Sequence, residues 1–193
     1  MWGMALFRPS LATYEKIARD SNTGGWAAYF WVFISGIVGS LFIFIGQLLF
    51  SLLGFSTSTA NPLSGSLGLT LIGVPIVAVV STLCFGLSTA VTQFAARLLG
   101  GSGTQAKMAY VTSAYLAPLI FVVSLLSIIP IVGFLAVLLY IYGIGLLVIA
   151  VKAVNRFSWR RAIASVAVIV GLGGLAVGVL AVVVIGLLYF PSS

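Results

Sequence analysis

The strongest constraint on this chain is where its charges are not. No charged side chain occurs from Ser21 to Ala96, from Met108 to Val151, or from Ala162 to Ser193. Each interval holds apolar runs at least as long as the ~20 residues a helix needs to cross a bilayer. Only 6% of the residues are charged and 62% are hydrophobic, where a soluble domain carries about 25% charged residues. Lipid must therefore be the solvent. No polar stretch is long enough to separate two cores, so one membrane domain is expected.

Residues 1–25 form the segment that precedes the first span. Pro9 suits the first position of a short helix, in which Leu11, Tyr14, Ile17 and Ala18 share a face opposite Glu15, Lys16, Arg19 and Asp20. That pattern predicts an amphipathic helix on the membrane surface, ended by Asn22, Gly24 and Gly25, with a soluble partner-binding helix as the alternative. Five spans follow across residues 26–193. The first runs from Trp26 to about Leu53, with Trp26, Tyr29 and Trp31 as an aromatic anchor. Gly54 to Ser66 is an uncharged loop. Leu67 to Leu99 is too long for one straight span, so Pro75 is expected to start the helix proper after an interfacial or re-entrant lead-in. Met108 to Ile129 is the third span, interrupted by Pro118. A tight turn at Pro130 and Gly133 leads to the fourth, which ends near Val151. Lys152 to Arg161 reads as a basic loop, and Ala162 to Phe190 as the fifth span. The expected fold is an all-α bundle of five transmembrane helices with a short N-terminal interfacial helix.

The basic residues then orient the bundle. Arg8, Lys16 and Arg19 precede span one, Arg97 and Lys107 lie between spans two and three, and Lys152, Arg156, Arg160 and Arg161 lie between spans four and five. The three links on the other side carry none. By the positive-inside rule the N-terminus is cytoplasmic and the C-terminus outside. The net charge of +7 is therefore read as topology and as contact with anionic headgroups through Arg97, Lys107, Lys152, Arg156, Arg160 and Arg161, and not as a nucleic-acid surface. There is no histidine and one cysteine, Cys84, so no intrachain disulfide can form and a metal site is not expected. No nucleophile–base pair or paired carboxylates are visible. No catalytic residue and no cofactor are expected.

Several motifs have a plainer reading than their pattern suggests. Gly171, Gly173 and Ala176 match GxGxxA, a fingerprint that works only where a strand turns into a helix; here it lies inside an apolar span. Its useful content is Gly174 and Gly178, four residues apart, which let another helix approach closely. Gly100-Gly101-Ser102-Gly103 with Lys107 resembles a phosphate loop, but Ala106 stands where glycine is required. A flexible cytoplasmic turn is the better expectation, with lipid-phosphate contact at the helix start as the alternative. In span two Ser81, Ser88 and Thr92 follow helical spacing beside Gln93, and Tyr110 and Ser113 in span three can face them. Such side chains must find partners in another helix, their own backbone or water. They form either a polar cleft for a small solute or headgroup, or bonds that fix the bundle. Pro118 and Pro130 are further expected packing points.

Taken together, Phe7-Arg8-Pro9, Leu98-Leu99-Gly100-Gly101-Ser102-Gly103, Ala109-Tyr110, Ala117-Pro118, Ile129-Pro130 with Gly133, and Arg161-Ala162 resemble the Yip domain (Yip-one, or Ypt/Rab-interacting protein) of five-span membrane proteins. The likeness covers nearly the whole chain. It implies a cytoplasmic N-terminus, and partnership with Rab-type GTPases in vesicle traffic by analogy with eukaryotic members. The chain lacks their long soluble N-terminal region and looks more like compact prokaryotic members, which implies a prokaryotic plasma membrane, with Golgi or endoplasmic reticulum as the alternative. The expected function is a non-enzymatic scaffold or adaptor that binds itself, another membrane protein or anionic lipid. The alternatives are a small-solute permease or channel, or a lipid-handling protein, using the polar stripe of span two.

Overall fold

The computed structural model describes residues 2–20, 24–52, 66–128 and 134–189. They form seven helices: α1 (Trp2–Phe7), α2 (Leu11–Arg19), α3 (Gly25–Leu52), α4 (Ser66–Leu98), α5 (Gln105–Leu126), α6 (Phe134–Asn155) and α7 (Trp159–Tyr189). Among the described residues, four helices (α3 to α6) are long and apolar enough to cross a membrane. The chain is an all-helical integral membrane bundle. The turn at Pro130, the loop after α3 and the tail after Tyr189 lie outside the described residues.

Helix α5 is the centre. It packs against α3, α6, α1, α4 and α2, and Met108 to Tyr115 is buried without a break. Contacts along the helices set their directions. Gly25 faces Ala106, and seventeen residues on Phe42 meets Phe121 edge-on at 5.3 Å. α3 and α5 therefore run parallel. Tyr29 meets Phe85 at 5.6 Å while Gly36 faces Ala78, so α4 runs antiparallel to α3. In lipid no hydrophobic force drives helices together, so close approach and dispersion carry the packing. Gly46 marks such an approach: a Cβ there would lie 3.1 Å from the Ile128 backbone. The alternation of directions gathers Arg97, Lys107, Lys152, Arg156, Arg160 and Arg161 at one end of the bundle.

Three expectations change. Pro75 does not begin a helix; α4 runs through it from Ser66. Losing one N–H removes a single hydrogen bond, and in apolar surroundings the remaining backbone groups have no better partner than the helix. The basic loop shrinks from Lys152–Arg161 to residues 156–158. Lys152 belongs to the last turn of α6, where a cation opposes the negative helix end. Arg160 and Arg161 lie in the first turn of α7. The N-terminal amphipathic helix exists, but Ser10 rather than Pro9 opens it, its hydroxyl accepting from Thr13 N. Its apolar face (Tyr14, Ile17, Ala18) is buried against α6 and α5, so it meets protein and not lipid. The Tyr14 hydroxyl donates to the Ala5 carbonyl at 3.1 Å. Burial, and secondarily Tyr142 nearby, pushes that phenol well above its usual pKa, which keeps it a neutral donor. Tyr142 donates to the Leu6 carbonyl at 2.5 Å. Tyr142 lies ~20 Å along α6 from Asn155, so α1 sits deep beside the spans.

Candidate functional site

The end of α4 is built to hold a tight loop. Gly100 has φ +90, a left-handed conformation that glycine adopts without strain. Gly100 N donates to Arg97 O, and Gly101 N to Ala96 O at 2.9 Å. These are the two bonds of a Schellman ending, and they satisfy carbonyls that a helix end leaves open. Thr104 then caps α5, its hydroxyl accepting from Lys107 N. The loop between them is clasped from below by two buried amides. Asn155 Oδ1 accepts from Gly103 N at 3.0 Å and from Gln93 Nε2 at 3.0 Å. Asn155 Nδ2 donates to Gln93 Oε1 at 3.3 Å and to Val151 O at 3.1 Å. Gln93 Nε2 also donates to Gly103 O at 2.7 Å. Gln93 is 2% and Asn155 3% exposed. Nearly all the bonding capacity of both amides is used, joining α4, α6 and the loop.

The glycines of this loop are required by closeness. A Cβ on Gly101 would lie 2.5 Å from Asn155 Oδ1 and 2.8 Å from the Phe157 ring. One on Gly103 would lie 2.6 Å from Val154 Cγ1. The expected flexible turn is thus a pinned loop. At its flank Gln105 reaches Thr89 Oγ1 at 3.2 Å, a further tie between α5 and α4.

Above the clasp opens a cavity of about 600 Å³, between α2, the glycine loop and the α6–α7 connection. Arg19, Lys107, Lys152 and Arg156 line it, with Glu15 as its only carboxylate. Lys152 Nζ sits 4.4 Å above the centre of the Trp159 ring and donates to Phe157 O at 3.4 Å. Arg156 follows the last residue of α6 with φ 54.

The anticipated residues divide. Lys107, Lys152 and Arg156 meet at the cavity, while Arg97, Arg160 and Arg161 lie exposed at the same end outside its lining. Gln93 belongs to the clasp. The hydroxyls of the stripe turn to their own helices: Ser88 to Phe85 O, Thr92 to Ser88 O, and Ser113 to Tyr110 O. Ser88 and Thr92 line a smaller, mostly apolar cleft of about 190 Å³ with Thr112, Tyr115 and Tyr140. Tyr110 and Ser113 are buried in α5 outside that lining, and Ser81 is half-buried in α4. Pro118 lies inside α5 without ending it. Gly174 and Gly178 belong to α7, but their packing, like Pro130, lies outside what is described. Sequence reasoning missed Asn155, placed in a basic loop, and Arg19, placed on a surface helix. The signal for Asn155 was available: Gln93 in an apolar run requires a polar partner at the same end. Among the described residues no group of three or more His, Cys, Asp or Glu is placed to hold a metal.

Comparison with curated proteins and with solved structures finds no match. The family model of the Yip1 domain matches residues 2–189, which include α1, both halves of the clasp and all five long helices. This integral membrane bundle, with its glycine loop clasped at the basic end, belongs to the Yip1-domain family.

Proposed function

We propose that the protein is a non-enzymatic membrane scaffold or adaptor of five spans, with α7 as the fifth, its N-terminus cytoplasmic and its C-terminus outside. The basic end faces the cytoplasm and binds anionic lipid, another copy or a second membrane protein; a Rab-type GTPase enters as a partner through the family alone. The observation that carries this reading is how the polar groups are spent. Gln93 and Asn155 lock three elements at the basic end, while the hydroxyls of Thr82, Ser88 and Thr92 bond to their own helix. A rigid platform at one end with a closed middle suits presentation better than conduction. One observation favours a second reading: Thr112 Oγ1 is buried without a partner beside the cleft of about 190 Å³, which suits a lipid chain or small solute.

The test is reconstitution of the purified chain beside extraction from native membranes in mild detergent. The scaffold reading expects a stoichiometric protein companion or self-association, and solute flux and lipid exchange equal to those of empty vesicles. Robust flux, abolished in a stably folded Ser88→Ala/Thr92→Val variant, would overturn it in favour of the second reading.

A further inference from the structure

We infer that the cavity of about 600 Å³ at the basic end is a binding site for a single phosphate ester. Its volume lies in the range of small-ligand pockets. Four cationic side chains converge on it from four places in the fold: Arg19 from α2, Lys107 from the first turn of α5, Lys152 from the last turn of α6, and Arg156 from the connection. The only opposing carboxylate, Glu15, is already turned to Arg19 at 3.8 Å. Ser102 and Thr104 add hydroxyls to the lining, and the N-terminus of α5 adds its positive end. Donors arriving from several directions suit a tetrahedral oxyanion better than a planar one. The lining also includes apolar side chains, those of Leu11, Ala18, Ala153, Val154 and Phe157, which suit the organic part of an ester.

The site is prepared before any ligand arrives. The loop bearing Ser102 and Thr104 is held by Asn155 and Gln93, and Lys152 is braced between Trp159 and Phe157 O. A general electrostatic attraction of the basic end for anionic lipid would draw equally on Arg97, Arg160 and Arg161. A site draws on the cavity residues alone. This inference concerns binding only and stands whether or not the bundle acts as a scaffold.

The full chain, purified in a zwitterionic detergent, is titrated with short-chain phosphatidic acid, with glycerol phosphate and with short-chain phosphatidylcholine. Saturable binding of phosphatidic acid alone assigns the site to a lipid headgroup; binding of glycerol phosphate as well assigns it to a soluble ester. Phosphatidylcholine should not compete with either. The variant R19Q/K107Q/R156Q should weaken binding by about tenfold or more, whereas R97Q/R160Q/R161Q, which removes the same charge from the same end, should weaken it far less. Should the cavity variant fail to fold, K107Q alone, altering an exposed side chain, must still weaken binding. Equal losses in the two triple variants, or no saturable binding of either phosphate probe, would overturn the proposal.

Discussion

The basic end of the bundle and its middle solve the same problem in opposite ways. Both place polar side chains where water is scarce, and an unpaired polar group there is costly. At the basic end two amides reach across helices. Gln93 and Asn155, 62 residues apart in the chain, bond each other and the glycine loop. Along the spans, Thr82, Ser88, Thr92 and Ser113 each bond a carbonyl three or four residues back in their own helix. Reach explains the difference. A serine or threonine hydroxyl lies close to the preceding turn and finds a carbonyl there, while a longer amide with both donor and acceptor can satisfy itself across an interface. Polarity in a span therefore does not by itself make an interhelical bond.

The largest effect should come from breaking the clasp. Asn155→Leu leaves the Gly103 N–H and Gln93 Oε1 buried without their partners, and each orphaned group costs about 1–3 kcal/mol. A loss of about 2–4 kcal/mol, read as a lower melting temperature in detergent, is expected. The pair also makes a sharper claim. Gln93→Leu/Asn155→Leu removes both partners, so it should cost less than the two single changes added together. Strict additivity would mean that the amides do not act as one unit.

A smaller effect, on the same side of the comparison, should follow from Gly103→Ala. The added methyl would press on Val154 Cγ1 and Asn155 Oδ1, and overpacking of this kind costs about 1–3 kcal/mol. Gly173→Ala, where a Cβ meets nothing within 4 Å, is the control and should be neutral or slightly stabilising. If both changes melt alike, the loop is not pinned as described.

The long helices and their common basic end were legible in the charge-free runs, because lipid admits so few backbone structures. The clasp was half legible. Gln93 stood out inside an apolar run, but Asn155 sat among Lys152, Arg156, Arg160 and Arg161, where an asparagine reads as a turn residue. Only the folded chain brings it under Gly103. The glycine loop misled for a related reason: glycines imply freedom when nothing is known to crowd them, and here Asn155, Val154 and Phe157 do. The face of α2 was correctly patterned, but periodicity cannot say whether an apolar face meets lipid or protein. Pro75 misled because its usual cost assumes that an interrupted helix has water to turn to.

The smallest effect is expected in the middle of the bundle, and it tests the comparison most directly. Ser88→Ala/Thr92→Val removes two hydroxyls that bond Phe85 O and Ser88 O within α4. Each of those carbonyls remains within the helix ladder, so no neighbouring helix loses a partner. Bonds that do cross between membrane helices contribute about 0.6 kcal/mol on average, and these do not cross. The pair should therefore shift stability by less than ~1 kcal/mol, against about 2–4 kcal/mol for the clasp. Thr112 adds a refinement, since its unpartnered hydroxyl lies in the same cleft as Ser88 and Thr92. Thr112→Val should be neutral or stabilising, because it replaces an unsatisfied polar atom by a methyl of similar size. A large destabilisation from Ser88→Ala/Thr92→Val would show that these hydroxyls hold helices together after all. A loss on Thr112→Val would mean that its hydroxyl has a partner in the membrane, and the cleft would then be a place where something polar binds.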